Sequence, residues 1–196
     1  MIAQLTGQLL HKAPTHVIID VGGVGYEVRI SLHTFAAIKA LARCQLLTYQ
    51  YIKGDVLALY GFASLQEKQW FLHLINVNSV GPRTALTILS SLSPSELEQA
   101  IGNSQVGVLK TIKGIGDKAA QRIVLELQGK LGQGLTTEEG TSAVLGPGTV
   151  EQEALAALIK LGIAQPAAAK ALAKVRRAHP GEVSLEALIK QALQVS

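Results

Sequence analysis

The chain has 196 residues, 48% of them hydrophobic, which is enough for one or two compact cores and excludes a wholly disordered protein. Lys and Arg number 18 against 14 Asp and Glu. This mild positive excess fits a polyanionic partner without requiring one. By segment, residues 1–63 carry 5 basic and 3 acidic groups, 64–130 carry 7 and 5, and 131–196 carry 6 and 6, so a nucleic-acid contact belongs in the first two thirds. The one cysteine, Cys44, excludes an internal disulfide and a multi-cysteine metal site and reads as a small core side chain. No apolar run reaches the length of a membrane span, and the first residues carry no basic segment followed by a long apolar one; a cytoplasmic location is the expectation.

In chain order, residues 1–63 read as β structure. Val17, Ile19 and Val21, then Val28 and Ile30, alternate with other residues, and Gly22-Gly23-Val24-Gly25 supplies the turn between them. Leu46 to Ile52 and Val56 to Phe62 flank a break at Lys53-Gly54-Asp55, and Ile2 to Leu10 adds a further strand. A short helical piece falls around Thr34 to Leu41. Five short strands in so few residues predict a small closed barrel of the OB type, serving either nucleic acid or a scaffold. From residue 64 to 130 the spacing becomes helical, with Leu65, Trp70, Phe71, Leu74 and Ile75 on one apolar face. Ser93-Pro94-Ser95-Glu96 carries the signature of a capping box, and a longer helix is predicted over 116–131. Residues 131–148 are rich in glycine, with Pro147 and no periodicity, and read as a flexible linker. Residues 149–196 read as a three-helix unit, with Thr149 a cap, Gly162 a stop, a second helix ending before His179-Pro180-Gly181 and a third opening at Ser184. The predicted class is therefore α+β multidomain: a barrel over 1–63, an all-α domain over 64–130, a linker over 131–148 and a helical interaction module over 149–196.

The chain aligns on itself at an offset of 35. Leu74 falls on Leu109, Val77 on Ile112, Val80 on Ile115, Gly81 on Gly116, Arg83 on Lys118, Ala85 on Ala120 and Ile88 on Ile123. Each copy predicts a helix, a tight turn (Ser79-Val80-Gly81 or Gly114-Ile115-Gly116) and a second helix. Glycine lets the backbone approach a ligand closely, and the first amides of the second helix lack intrahelical partners and carry the positive end of its dipole. That arrangement binds a phosphate. Arg83 and Lys118 in the first turn oppose the dipole unless an anion is present. Contacts of this kind position DNA without reading its sequence, and their affinity falls steeply with salt.

The paired pattern resembles tandem helix-hairpin-helix motifs. With the barrel before it and the linker and tail after it, the whole length resembles the RuvA family of Holliday-junction-binding proteins. The matching residues are Val21 to Val28 (VGGVGYEV), Leu59-Tyr60-Gly61-Phe62, Val80-Gly81-Pro82, Gly114-Ile115-Gly116 with Lys118 and Arg122, and Glu153 to Leu158 with Leu161-Gly162. The resemblance implies a homotetramer, two of which can form an octamer around a four-way junction, with the barrels central and the hairpins gripping the duplex arms. It implies DNA contacts at Ser79, Gly81, Arg83, Thr84, Gly114, Gly116, Lys118 and Arg122. It further implies docking of the tail on RuvB, a hexameric ATPase motor, through Leu158, Leu161 and Ile163, and a place for the RuvC resolvase in the same complex. No cofactor and no catalysis by the chain itself are implied.

Three departures from the family pattern stand out. The acidic pin, a loop with two adjacent carboxylates, is here Gly54-Asp55, so Asp55 stands alone and repulsion of junction phosphates is expected to be weaker. Without the family match, Asp55 reads as an ordinary turn residue. Ser79 occupies a place usually held by glycine and resists positive φ, although its hydroxyl can meet a phosphate. Asp117 is acidic where lysine is common and is expected to repel one, so the second hairpin's grip falls to Gly116, Lys118 and Arg122. In the tail, Arg176-Arg177 reads as a solvated helix end.

Two other functions compete with this reading. A DNA glycosylase or nuclease would need a catalytic pocket, often with cluster cysteines, whereas the five histidines (11, 16, 33, 73 and 179) have no ligand spacing and no phosphate-loop lysine pattern occurs. A duplex-binding adaptor with no junction preference remains open on residue chemistry alone.

Overall fold

In a computed structural model, residues 1–131, 150–178 and 184–195 are described. They form two compact units, divided at Thr136 and Thr137. In the first unit, β1 (Gln4–Ala13), β2 (His16–Val21), β3 (Val24–Ile30), β4 (Arg43–Lys53) and β5 (Val56–Phe62) close into a barrel in the order β1-β2-β3-β5-β4, with α1 (Leu32–Ile38) between β3 and β4. Only the β3–β5 pair is parallel. Strand alternation sends Leu5, Val17, Ile19, Val28, Ile30, Leu46 and Leu59 inward with Cys44, and Ile38 of α1 joins them. Burial pushes the Cys44 thiol pKa up, as expected of a core cysteine. The first strand runs past Leu10, where a register shift between Leu9 and His11 turns Leu10 out to solvent.

The helical part follows as α2 (Leu65–Ile75), α3 (Pro82–Ser91), α4 (Pro94–Gly102), α5 (Val106–Lys110) and α6 (Asp117–Leu131). At the start of α4 the full capping box forms: Ser93 Oγ accepts from Glu96 N–H while the Glu96 carboxylate accepts from Ser93 N–H at 2.8 Å. The bond from Ser93 N–H, with a second from the Ser93 hydroxyl at 2.7 Å, holds the Glu96 carboxyl below its ordinary pKa. The apolar face of α2 packs on the outside of the barrel. Phe71 meets Phe62, Tyr60 and Tyr49 at ring-centroid distances of 4.9, 5.2 and 5.6 Å. Barrel strand β5 and the helices therefore share one core, which explains why they form one unit. Leu65, expected on that face, lies at its first turn and is 38% exposed.

A second link crosses from α1 to α2. Glu67 is fully buried, and its carboxylate accepts from the hydroxyls of Ser31 and Thr34, the latter at 2.6 Å. Thr34 Oγ1 in turn accepts from Ala63 N–H at 3.0 Å. Two barrel-side hydroxyls thus satisfy a carboxylate that the helical part brings into a dry site.

The second unit holds α7 (Val150–Lys160), α8 (Gln165–Ala178) and α9 (Leu185–Val195), packed around Ala154, Leu158, Ala171, Leu172, Val175 and Leu188. Ser184 caps α9 by accepting from Ala187 N–H. Arg176, read from sequence as a solvated helix end, stays partly exposed and also pairs with Glu151 of α7 at 2.5 Å, because the bundle sets the two helices side by side. The stretch read as a linker lies outside the described residues apart from Leu131, as do Thr149 and His179-Pro180-Gly181.

Candidate nucleic-acid interface

The repeat at offset 35 reappears as two turns with the same hydrogen-bond pattern. Val77 N–H donates to Leu74 C=O and Ile112 N–H to Leu109 C=O, at 3.1 and 3.2 Å. Val80 N–H donates to Val77 C=O and Ile115 N–H to Ile112 C=O, at 3.0 and 3.1 Å. Ala85 N–H then closes on Gly81 C=O and Ala120 N–H on Gly116 C=O, at 2.9 and 3.0 Å. All the paired apolar positions are buried in both copies, so Val80 and Ile115 anchor the turns while Ala85 and Ala120 allow the helices to meet. The polar positions face outward: Ser79, Gly81, Arg83, Gly114, Gly116, Lys118 and Arg122 are exposed and Thr84 is half-buried.

The free amides differ in number between the turns. At the start of α3, Gly81 is the cap and Pro82 the first residue, so one of the leading N–H groups is missing. Helix α6 begins Asp117-Lys118-Ala119 with every amide present.

Ser79 adopts φ +74° and its counterpart Gly114 φ +91°. Serine therefore takes the left-handed conformation that the turn demands, and the first turn keeps the shape of the second. Its hydroxyl, which can meet a phosphate, donates here to Asn78 C=O and accepts from Arg122 Nη1 at 3.3 Å. That contact also shows that the two turns are neighbours, since Arg122 belongs to the second hairpin. Nothing crowds a Cβ at Gly114, so only backbone strain opposes a side chain there. Gly114→Ser is expected to cost about 1–2 kcal/mol of stability. Ser79→Gly should recover less than that, about 0.5 kcal/mol, because glycine's extra unfolded-state entropy offsets the relief. Urea midpoints of the two variants check this, and equal shifts of the same sign would contradict it.

Asp117 does not stand as an unopposed negative charge beside the second turn. Lys110, at the end of α5, forms an ion pair with it. Lys110 was not singled out in the sequence, because its role depends on α5 ending beside the start of α6. In the other hairpin, Arg83 makes no ion pair among the described residues. Asp55 and Gly54 form the tip between β4 and β5, both exposed, with Gly54 at φ +57°. A two-residue hairpin turn with positive φ at its first position favours glycine there, which gives position 54 a local reason for lacking an acid.

In the second unit the three tail candidates separate. Leu158 is 0% exposed in the bundle core, where its helix face packs against α8 and α9. Ile163 is partly buried against the same core, and Leu161 is 61% exposed.

Among the described residues no group of three or more His, Cys, Asp or Glu is placed to hold a metal, and no helix is long and apolar enough to cross a membrane. Family profiles match along the chain: RuvA N terminal domain over residues 1–61, SAM-like helix-hairpin-helix tandem over 71–129, and RuvA C-terminal domain over 149–195. A protein of Amoebophilus asiaticus described as Holliday junction branch migration complex subunit RuvA is 52% identical over 134 residues, which cover 68% of this chain and 69% of the relative. The chain belongs to the RuvA family. Similarly described RuvA proteins of Cytophaga hutchinsonii and of an Acidovorax species are 50% identical over 131 residues and 48% identical over 133. They cover 67% of this chain in each case, and 66% and 70% of the relatives. Membership in the RuvA family agrees with the closed five-stranded barrel, the helix-hairpin-helix tandem and the helical tail seen here.

Proposed function

We propose that this chain is the non-catalytic, junction-holding subunit of a RuvAB-type branch migration complex acting in DNA recombination and repair in the cytoplasm. The observation that carries the reading is the pair of matching hairpin turns, set side by side and joined through Arg122 and Ser79. Each turn offers amides at a helix start together with a cation: Gly81, Arg83 and Thr84 in one, Gly114, Gly116, Lys118 and Arg122 in the other. Two phosphates of one duplex arm are held this way, without regard to sequence. Four chains in a tetramer hold four arms and keep the junction open and planar, with Asp55 of each at the crossover; a second tetramer completes an octamer. Residues 131–148 tether the module of 149–196, which docks on the RuvB ATPase through Leu161 and Ile163, and RuvC has access to the same junction.

A competition gel shift between a four-way junction and a linear duplex of the same length, at moderate salt, tests the reading. The junction is expected to win by a wide margin, and equal affinity would leave only an adaptor for duplex DNA. Addition of RuvB should then raise ATP hydrolysis in the presence of junction DNA.

A further inference from the structure

The outer face of the barrel carries a row of side chains that the two hairpin turns do not use. Strand register sets His16 opposite Arg29 and Arg29 opposite Tyr60, so the three lie side by side across β2, β3 and β5. The Arg29 guanidinium sits 6.0 Å from the Tyr60 ring centroid, and its Nη1 donates to Tyr60 Oη at 3.4 Å. One side of the fork is thereby held, while its remaining N–H groups stay available. Facing this row across an open cleft of about 620 Å³ is helix α3, which contributes Arg83 and Thr87 to the opposite wall. Arg83 is also the cation of the first hairpin turn, so the cleft runs directly on from that turn.

The charge in the cleft favours an anion. Arg29 and Arg83 both line it, and neither is in an ion pair among the described residues. The opposing charge is Glu27, two residues along β3, and one carboxylate does not balance two guanidinium groups. The second and third strands of OB-type barrels are the face on which such folds take oligonucleotides, and here they carry the row.

We propose that this cleft is a third phosphate site, taking the sugar-phosphate backbone of the same DNA arm that the first hairpin grips, with Arg29 its principal donor. The inference rests on the DNA-binding reading above and extends it from the hairpins onto the barrel. A guanidinium fork fixed by an aromatic ring suits phosphate oxygens, where a lysine would supply charge without the paired donors.

Fluorescence anisotropy of a labelled linear duplex and a labelled four-way junction, each titrated over a salt series, tests it. Arg29→Gln is expected to weaken duplex binding several-fold and to reduce the log–log salt slope by about 0.9, the share of one phosphate. Arg29→Lys is expected to keep the slope and lose less affinity. An unchanged slope in Arg29→Gln overturns the cleft and leaves the hairpins standing, whereas no DNA binding by the unaltered chain overturns both readings. If Arg29→Lys loses as much slope as Arg29→Gln, the effect is one of fold and the proposal fails. It fails equally if light scattering shows that Arg29→Gln changes the number of chains in the assembly, since a second copy would then be what covers the cleft.

Discussion

Replacing Lys118 and Arg122 together by glutamine is expected to weaken duplex binding at moderate salt by about 100-fold. A hydrogen bond to a charged group contributes about 1.5–3 kcal/mol, so two of them amount to at least about 3 kcal/mol. At 1.4 kcal/mol per factor of ten, that gives two orders of magnitude. The salt slope should fall by roughly 0.9 for each phosphate released. Stability should change little, because both side chains are exposed and what Arg122 gives up is surface chemistry: a 3.3 Å bond to Ser79 and a 3.9 Å pairing with Glu126. Arg83→Gln in the first hairpin should cost less, since that turn has a proline in place of one amide and a serine hydroxyl turned to the backbone. Anisotropy titrations at two salt concentrations measure both, and a larger loss for Arg83→Gln would reverse the ranking of the hairpins.

Glu67→Ala is expected to lower the stability of the first unit by about 3 kcal/mol or more. The substitution strips the acceptor from two buried hydroxyls, each costing about 1–3 kcal/mol when left unsatisfied. It also opens a cavity between α1 and α2. Glu67→Gln keeps one carbonyl oxygen and should cost less, since one of the hydroxyls can still donate to it. Urea unfolding followed by Trp70 fluorescence reports the change, because Trp70 lies one turn from Glu67 and is itself buried. A loss below about 1 kcal/mol for Glu67→Ala would mean that water replaces the carboxylate without penalty.

Much of this was legible in the residues. Alternation and the two turn signals were enough for five strands, because a closed barrel buries one face of each and so imposes period two. The offset repeat was legible position by position, since each apolar position that recurs is one the fold must bury, and the matching hydrogen bonds followed in the structure. What the residues concealed was long-range pairing. Lys110 reads as one more surface lysine until α5 is seen to end beside Asp117. Glu67 reads as an ordinary first-turn acid of α2, and only the docking of α1 makes it a buried acceptor. Arg29 is one basic residue in a strand until α3 forms a wall opposite it. Leu158 was ambiguous for the complementary reason: an apolar residue on a short helix suits a partner surface and a bundle core equally well, and the packing places it in the core of the three-helix unit.

The aromatic seat of Phe71 against Phe62, Tyr60 and Tyr49 has a mechanical consequence. The hairpins and the barrel are joined by a shared core and the Glu67 bonds, with just two residues, Ala63 and Ser64, between β5 and α2. A joint of that kind has no hinge. If the hairpins hold a DNA arm as proposed, drag on that arm would load those ring contacts in shear and pass into the barrel, so the grip would act as a stiff bracket past which the duplex turns.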